Sequence, residues 1–188
     1  MCVICIHPAG VSLPDRDDLT AMNRKNPDGI GIFAETEGGE AVVKTFLRFG
    51  DFYDFYVKNV TEDTFFVLHN RIGTSGTRDL RNCHPFPFID DAGRQWFLFH
   101  NGIVNSYAEH GSSLCDTAHI AEAMCGNSAD EVRSALEELA AATGSRFIAV
   151  SPGGNYTNGV KNDLISAGTF TRLRGNIYSN LYWRGGLV

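Results

Sequence analysis

The stretch TFFVLHNRIGTSG, residues 64–76, joins an apolar segment directly to a polar, glycine-rich one. Its first half has no apolar–polar alternation, so it predicts a strand that is buried on both faces. The segment 95–100, QWFLFH, has the same character and is followed by Asn101-Gly102. Two sheets that pack against each other, with helices on their outer faces, would bury both sides of such apolar strands. Loops held by such strands are common places for functional sites.

The order of predicted elements indicates an α+β fold. Strands and helices are grouped along the chain rather than alternating, which favours largely antiparallel sheets. We predict strands over 2–8, 30–35, 40–47, 64–69 and 95–100, helices over 15–25, 51–59, 115–125 and 128–142, and short strands over 147–150, 155–160, 163–170 and 175–183. The segment 70–94, which is rich in glycine and proline, is expected to be a loop.

Composition excludes several classes of protein. The chain has 188 residues, of which 43% are hydrophobic and 20% charged, as is typical of a globular protein. Its net charge of −6 and its scattered basic residues argue against nucleic-acid binding. No apolar run is long enough to span a membrane, and the first residues lack the features of a signal peptide. The five cysteines are an odd number, which suggests reduced thiols, so we expect a cytoplasmic protein.

The sequence gives little reason to expect a metal or another cofactor. Cys2 and Cys5 form a C-x-x-C pair, but on a strand these two positions point to opposite faces. The six histidines have none of the spacings that are typical of zinc ligands. We therefore expect neither a metal site nor a cofactor.

Cys2, directly behind Met1, has chemical potential that its position alone does not establish. If Met1 is removed, this residue carries both a thiol and a free α-amine. An α-amine titrates at about 7.7–8.0, close enough to neutrality to accept the thiol proton. The alternative interpretation is a small buried residue at the start of a strand.

Three polar clusters at strand ends supply groups that complement this nucleophile, and they lie over 69–76, 82–86 and 100–105. A thiolate that attacks an amide creates an oxyanion, which the Asn101 amide and the Gly102 N–H are suited to bind. Arg71 offers a forked donor for a carboxylate. Asp116 is suited to bind an ammonium group, or alternatively to cap a helix. Asn-Gly is also a common hairpin turn.

Taken in order, these motifs resemble those of the class II, or N-terminal-nucleophile, glutamine amidotransferase family. The family pattern is an N-terminal Cys followed by five motifs, which match Asn26–Gly31, His69–Gly76, Asn82–Pro85, His100–Ile103 and Asp116-Thr117. Each motif is weak by itself, but their order and spacing agree over about residues 2–120. The resemblance therefore makes Cys2 the expected nucleophile.

The resemblance implies a four-layer α-β-β-α sandwich of two largely antiparallel sheets, as in N-terminal-nucleophile hydrolases. It further implies that Cys2 is catalytic with Asn101 and Gly102 as oxyanion donors. Arg71 would bind the α-carboxylate of glutamine and Asp116 its α-amine, with Thr74 in the same pocket. The motif residues His84 and His100 are interpreted as structural supports.

Three positions depart from the family pattern. Val3 replaces the usual glycine after the nucleophile and is expected to tighten the pocket. Ile72 stands where many relatives have tryptophan, and Ser75 where some have histidine. These departures bear on gating and substrate fit more than on the nucleophile.

We expect residues 1–188 to form a single domain of the glutamine amidotransferase type 2 kind, with Met1 removed. The domain would hydrolyse glutamine and pass ammonia to a separate synthase partner, because the remaining residues suffice only for the last strands of the same fold. One alternative is an amidase of the same type that acts on another γ-glutamyl or acyl amide. A second alternative is a binding module that keeps the fold without turnover.

Overall fold

A computed structural model describes residues 1–185 of the chain and contains twelve strands and four α-helices in this range. The strands are β1 (Val3–His7), β2 (Ile30–Thr36), β3 (Val42–Phe46), β4 (Thr64–Asn70), β5 (Phe86–Ile89), β6 (Gln95–Asn101), β7 (Arg146–Val150), β8 (Tyr156–Thr157), β9 (Val160–Lys161), β10 (Leu164–Ala167), β11 (Thr171–Leu173) and β12 (Asn176–Tyr178). The helices are α1 (Arg16–Lys25), α2 (Phe49–Asn59), α3 (Asp116–Met124) and α4 (Ala129–Thr143). Short 3-10 turns occupy Leu80–Asn82, Asn105–Tyr107 and Tyr182–Arg184.

The strands form two main sheets in which neighbouring strands are antiparallel. The first has six strands in the order β11-β12-β1-β4-β2-β3, and the second has four in the order β10-β7-β6-β5. Strands β8 and β9 form a separate hairpin. Strand β1, which directly follows Cys2, therefore lies inside the first sheet, between β12 and β4.

Three hydrophobic clusters show that the molecule has four layers. One cluster lies between the six-stranded sheet and helices α1 and α2, and another lies between the four-stranded sheet and helices α3 and α4. The third joins the two sheets face to face. The predicted α+β fold, a four-layer α-β-β-α sandwich, is confirmed.

Strand β4 shows why a continuous apolar run was needed here. Phe66 and Leu68 pack in the helix-facing cluster, whereas Phe65 and Val67 pack between the sheets. Because successive side chains of a strand point to opposite faces, a strand that is covered on both sides must be apolar at every position.

The predicted helices are present at nearly the predicted bounds, and their ends have clear causes. Asp15 caps α1 by accepting the Asp18 N–H at 2.8 Å. Ser128 and Glu131 form a reciprocal capping box at the start of α4. Gly144 ends α4 in the left-handed conformation, with a φ of 69°.

The predictions for four segments were wrong, and two of these segments are 70–94 and 175–183. The segment 70–94 is not entirely loop, since it contains β5. This strand carries Pro87, which an edge strand tolerates because one side of it needs no hydrogen-bond donor. The segment 175–183 is a strand only over Asn176–Tyr178, and it then continues into the 3-10 turn at Tyr182–Arg184.

The strand predicted over 155–160 is also wrong, because it folds as the β8–β9 hairpin around Asn158 and Gly159. The predicted strand 163–170 shortens to β10, and β11 forms separately. A buried ion pair anchors this region, with Lys161 Nζ 2.8 Å from Glu35 Oε2 and both side chains at most 1% exposed. Gly153 N–H donates to the other carboxylate oxygen of Glu35 at 2.8 Å.

Candidate active site

One small cavity gathers residues from both sheets and from the start of α3. Its volume is about 20 Å³, close to the space that a single water molecule requires. Its wall is formed by Cys2, Arg71, Ile72, Thr74, Ser75, His84, His100, Gly102, Cys115, Asp116 and Thr117. Five of the six predicted site residues are thus brought together. Asn101 is not part of this wall.

Gly31 helps to bring the second sheet close to the first. A Cβ at this position would lie 1.4 Å from the carbonyl oxygen of His84, which is closer than any real contact. Only a residue without a side chain lets the His84-Pro85 backbone lie against β2. The glycine in the motif at 26–31 therefore places His84 in the cavity wall.

The Cys2 thiol lies at the edge of this cavity and contacts the loop after β4. The Ile72 N–H donates to Sγ at 3.3 Å, and the thiol lies 3.5 Å from the Ile72 carbonyl oxygen. Burial raises the pKa of the Cys2 thiol above its ordinary value, and the Ile72 N–H and the positive charges of the N-terminus and Arg71 oppose that rise. Met1 is 60% exposed, and its peptide bond occupies the Cys2 nitrogen. The thiol–amine pair therefore requires removal of Met1.

Val3 does not tighten the cavity as its bulk had suggested. Its side chain is 1% exposed and packs in the helix-facing cluster of the first sheet. Cys2 and Val3 are successive residues at the start of a strand, where side chains alternate between faces. The valine therefore supports the helix layer and does not line the cavity.

Asn101 ends β6 and is linked to Ser179, the residue that follows β12 of the first sheet. Its Nδ2 donates to Ser179 Oγ at 2.8 Å, and its Oδ1 is buried without a partner among residues 1–185. The amide group carries a second hydrogen that this bond does not use. Asn101 is thus linked through Ser179 to β1, and one hydrogen of its amide group is not used in this bond.

Gly102 is the residue where the backbone turns from β6 into the cavity wall. Its φ is +156°, which residues with a side chain rarely adopt. A Cβ here would lie 2.1 Å from Ser145 Oγ and 3.0 Å from His100 Nε2. Both backbone conformation and space therefore require glycine at this position.

Arg71 is a buried cation without an acidic partner. The residue is 3% exposed, and its guanidinium donates to the Ser75 carbonyl at 2.7 Å and the Thr77 carbonyl at 3.4 Å. No carboxylate of residues 1–185 lies within 4.0 Å of it. Burial of an unpaired charge is unfavourable, so the site is suited to an anionic ligand.

Asp116 is the first residue of α3, and the interpretation of it as a helix cap was wrong. The cap position belongs to Cys115, whose side chain makes no capping bond. Instead, Asp116 Oδ2 accepts the Val104 N–H at 2.9 Å and Oδ1 accepts the Thr117 N–H at 2.9 Å. Ser75 Oγ lies 3.4 Å from Oδ1. These donors fix a carboxylate in the wall that also holds Arg71.

Three buried histidines, His69, His84 and His100, form a histidine cluster, and His84 and His100 also line the cavity. Thr117 Oγ1 lies 3.1 Å from His84 Nε2 and 2.9 Å from His100 Nδ1, and the rings of His69 and His84 are 3.9 Å apart. Burial lowers the pKa of His69 to about 3 and of His100 to about 4, and it holds the pKa of His84 well below its usual value. Neutral imidazoles in this arrangement are suited to a supporting role.

Sequence reasoning missed the contacts made by Thr117 and by Ser179-Asn180. Ser179 Oγ accepts the Ile4 N–H at 2.9 Å, and Asn180 Nδ2 donates to the Cys2 carbonyl at 2.8 Å. These partners are more than 170 residues apart in the chain, so no local pattern could identify them. The sheet order that places β12 beside β1 was the missing information.

The residues in range 1–185 contain no helix long and apolar enough to cross a membrane. In the same range, no group of three or more His, Cys, Asp or Glu side chains is arranged to hold a metal ion.

No protein-family profile and no curated protein sequence matches this chain. Among solved structures, it is similar to the glutamine phosphoribosylpyrophosphate (PRPP) amidotransferase from B. subtilis complexed with ADP and GMP, with 16% identity and a TM-score of 0.50. A structure described as the allosteric regulatory enzyme of purine biosynthesis gives 18% identity and a TM-score of 0.47. Each alignment covers 80% of this chain but only 35% of the other chain. At this identity the first similarity concerns the fold alone: the chain shares the fold of the part of the B. subtilis enzyme that it matches.

Proposed function

We propose that this chain is a class II glutamine amidotransferase-type enzyme that hydrolyses glutamine to glutamate and ammonia. The observation that carries the proposal is the presence of Arg71 and Asp116 in one cavity wall that also holds Cys2. A buried cation without an acidic partner and a fixed carboxylate are complementary to the two charged ends of an amino-acid head group. The thiol beside them supplies the nucleophile.

The proposed reaction begins after Met1 is removed. The Cys2 α-amine accepts the thiol proton, and the thiolate attacks the side-chain amide carbon of glutamine. The second N–H of the Asn101 amide and the Gly102 N–H stabilise the resulting oxyanion. The C–N bond then breaks, and ammonia leaves with the proton returned by the α-amine. Water attacks the thioester, releases glutamate and restores the thiol.

We propose that the loop that follows β4 moves when the substrate binds. A cavity of about 20 Å³ holds one water, whereas glutamine needs several times that space. The guanidinium of Arg71 is engaged by carbonyl groups of this same loop. We propose that glutamine displaces these carbonyls, so that its carboxylate takes their place on Arg71 while Thr74 lines the opened pocket.

Several finer points belong to the same proposal. We propose a single glutaminase-type domain over residues 1–188, a cytoplasmic location where Cys2 stays reduced, and a separate synthase that receives the ammonia. The joint presence of Arg71 and Asp116 disfavours an amidase for other amides. The alternative of a binding module without turnover depends on Met1. If Met1 is retained, the small cavity and the raised pKa of the Cys2 thiol favour that alternative.

The central test measures ammonia and glutamate release after intact-mass analysis has shown whether Met1 is absent. The processed wild type should release ammonia from L-glutamine, and Cys2→Ala should not. Release no faster than that of Cys2→Ala would refute the proposal. Release by a chain that retains Met1 would refute the α-amine as the base.

Substrate analogues test the head-group assignment. The α-methyl ester of glutamine lacks the carboxylate that Arg71 would bind, and N-acetylglutamine lacks the ammonium that Asp116 would bind. Both should show a KM about 100-fold higher than glutamine, as expected for loss of a charge-assisted contact. Equal KM values for all three compounds would favour the amidase alternative.

A further inference from the structure

Ser179 occupies the junction between the nucleophile strand and the second sheet. Its Oγ accepts two buried donors, the Ile4 N–H at 2.9 Å and Asn101 Nδ2 at 2.8 Å. Its own N–H donates to the Ile4 carbonyl at 3.0 Å. Ile4 and Asn101 are fully buried and Ser179 is 3% exposed, so water does not compete for these bonds.

Asn180 extends this junction to the nucleophile itself. Its Nδ2 donates to the Cys2 carbonyl at 2.8 Å, and its Oδ1 accepts the Tyr182 N–H at 3.3 Å. Its carbonyl accepts the indole N–H of Trp183 at 3.1 Å, and that indole is 3% exposed. Asn180 is therefore held firmly on one side while it holds Cys2 on the other.

We propose that Ser179 is a positioning residue that sets the Asn101 amide relative to the Cys2 nucleophile, with Asn180 fixing the Cys2 backbone. The inference rests on the proposed function, because it assumes that Asn101 stabilises the oxyanion. Asn101 comes from the second sheet and Cys2 from the first, and Ser179 bonds to both sides of that boundary. It contacts neither Arg71 nor Asp116 by any hydrogen bond.

This division of contacts predicts which kinetic parameter changes. Ser179→Ala removes the acceptor that orients the Asn101 amide but leaves the head-group ligands in place. A displacement of about 1 Å in a catalytic group reduces rates by about 100-fold. We therefore expect kcat for glutamine to fall by about 10- to 100-fold while KM changes by less than about twofold.

Ser151→Ala is the matched control. Ser151 is also fully buried, and its Oγ donates to the Gln95 carbonyl at 2.8 Å, at the opposite end of β6 from Asn101. Loss of either hydroxyl should lower the free energy of unfolding, and the loss should be larger at Ser179, where two buried donors are left unpaired. Ser151→Ala should keep the wild-type kcat, and an equal loss of kcat in both variants would overturn the positioning role.

A double-mutant cycle tests whether Ser179 acts through Asn101. Asn101→Ala alone should reduce kcat by about 100- to 1,000-fold, as expected for one oxyanion donor. Addition of Ser179→Ala should then have little further effect, because the group that it orients is gone. Full multiplication of the two losses would overturn the proposal. If Ser179→Ala does not fold, Ser179→Cys, which is a weaker acceptor of similar shape, replaces it throughout.

A second readout separates this proposal from the choice of glutamine as substrate. In the acylation of the processed chain by p-nitrophenyl acetate, Cys2 Sγ bonds to the acetyl carbon, p-nitrophenolate leaves, and the thiol proton goes to the α-amine. This reaction forms an oxyanion without a glutamine head group. Absence of ammonia release from glutamine would refute the proposed function. The positioning role would still be supported if Ser179→Ala is acylated at least about 10-fold more slowly than Ser151→Ala. Equal acylation rates, or no acylation of the wild type, would overturn the positioning role.

Discussion

Replacement of Arg71 by methionine should weaken substrate binding without weakening the fold. The guanidinium is 3% exposed, has no carboxylate within 4.0 Å among residues 1–185, and donates only to carbonyl groups of its own loop. Two hydrogen bonds from a charged donor contribute about 1.5–3 kcal/mol each, whereas desolvation of an unpaired cation costs several kcal/mol. The two effects nearly cancel, so the free energy of unfolding should fall by no more than about 1 kcal/mol.

The effect on the substrate should be much larger. A forked contact to the α-carboxylate contributes at least about 3 kcal/mol, which corresponds to about a 100-fold rise in KM for glutamine. Arg71→Lys keeps the charge but loses the fork, so its KM should lie between those of the wild type and Arg71→Met. The measurements are steady-state ammonia release and denaturant-induced unfolding.

Arg78→Met is the control for this pair of measurements. Arg78 lies in the same region, but its side chain is 64% exposed and pairs with Asp28 at 3.0 Å. Its replacement should leave KM unchanged and alter stability by less than about 1 kcal/mol. A loss of more than about 3 kcal/mol in Arg71→Met, or an unchanged KM, would refute the reasoning that this cation is held for a ligand.

Three further predictions follow from other parts of the molecule. Gly102→Ala should lower kcat for ammonia release by at least about 100-fold, because the new Cβ would strike Ser145 Oγ and displace an oxyanion donor; near-normal activity would exclude that donor. The free energy of unfolding, measured with denaturant, should fall as the pH drops below about 6.5. The unfolded chain binds protons there, whereas the folded histidine cluster stays neutral until about pH 4 or lower. His100→Gln should make this pH dependence shallower, and an unchanged dependence would contradict the buried neutral state. Lys161→Met should destabilise the fold by about 3–5 kcal/mol, because it leaves the Glu35 carboxylate buried without its cation. The double variant Lys161→Met with Glu35→Leu should lose less stability than Lys161→Met alone. Equal losses of stability in the two variants would show that the ion pair itself matters little.

The layers of the fold were predictable because local sequence carries their signals. The unbroken apolar run of β4 required cover on both faces, and α1 and α4 have polar caps at their starts. Strand β5 was not predicted because it contains Pro87. Proline indicates a loop in a sequence unless the strand is known to lie at the edge of a sheet. The hairpin around Asn158 similarly split a segment that looked continuous.

The site was predictable only as a set of loops. The motifs identified which residues carry suitable chemistry, and the cavity wall contains most of them. The partner of Asn101 was not predictable, since Ser179 lies 78 residues away and reaches it only through the pairing of β12 with β1. The Asp116 carboxylate likewise could not be separated from a helix cap until the start of α3 was known.

The position of β1 between β4 and β12 has a consequence for synthesis. The ribosome produces the nucleophile strand first, β4 after residue 63, and its other neighbour only after residue 175. Until then, one edge of β1 has no partner and the bonds from Ser179 and Asn180 do not exist. A nascent chain that stops before these residues would carry every motif residue of the cavity wall yet lack the bonds that hold Ile4 and the Cys2 carbonyl. Under the proposed function, glutamine hydrolysis would thus be withheld until synthesis has passed Asn180.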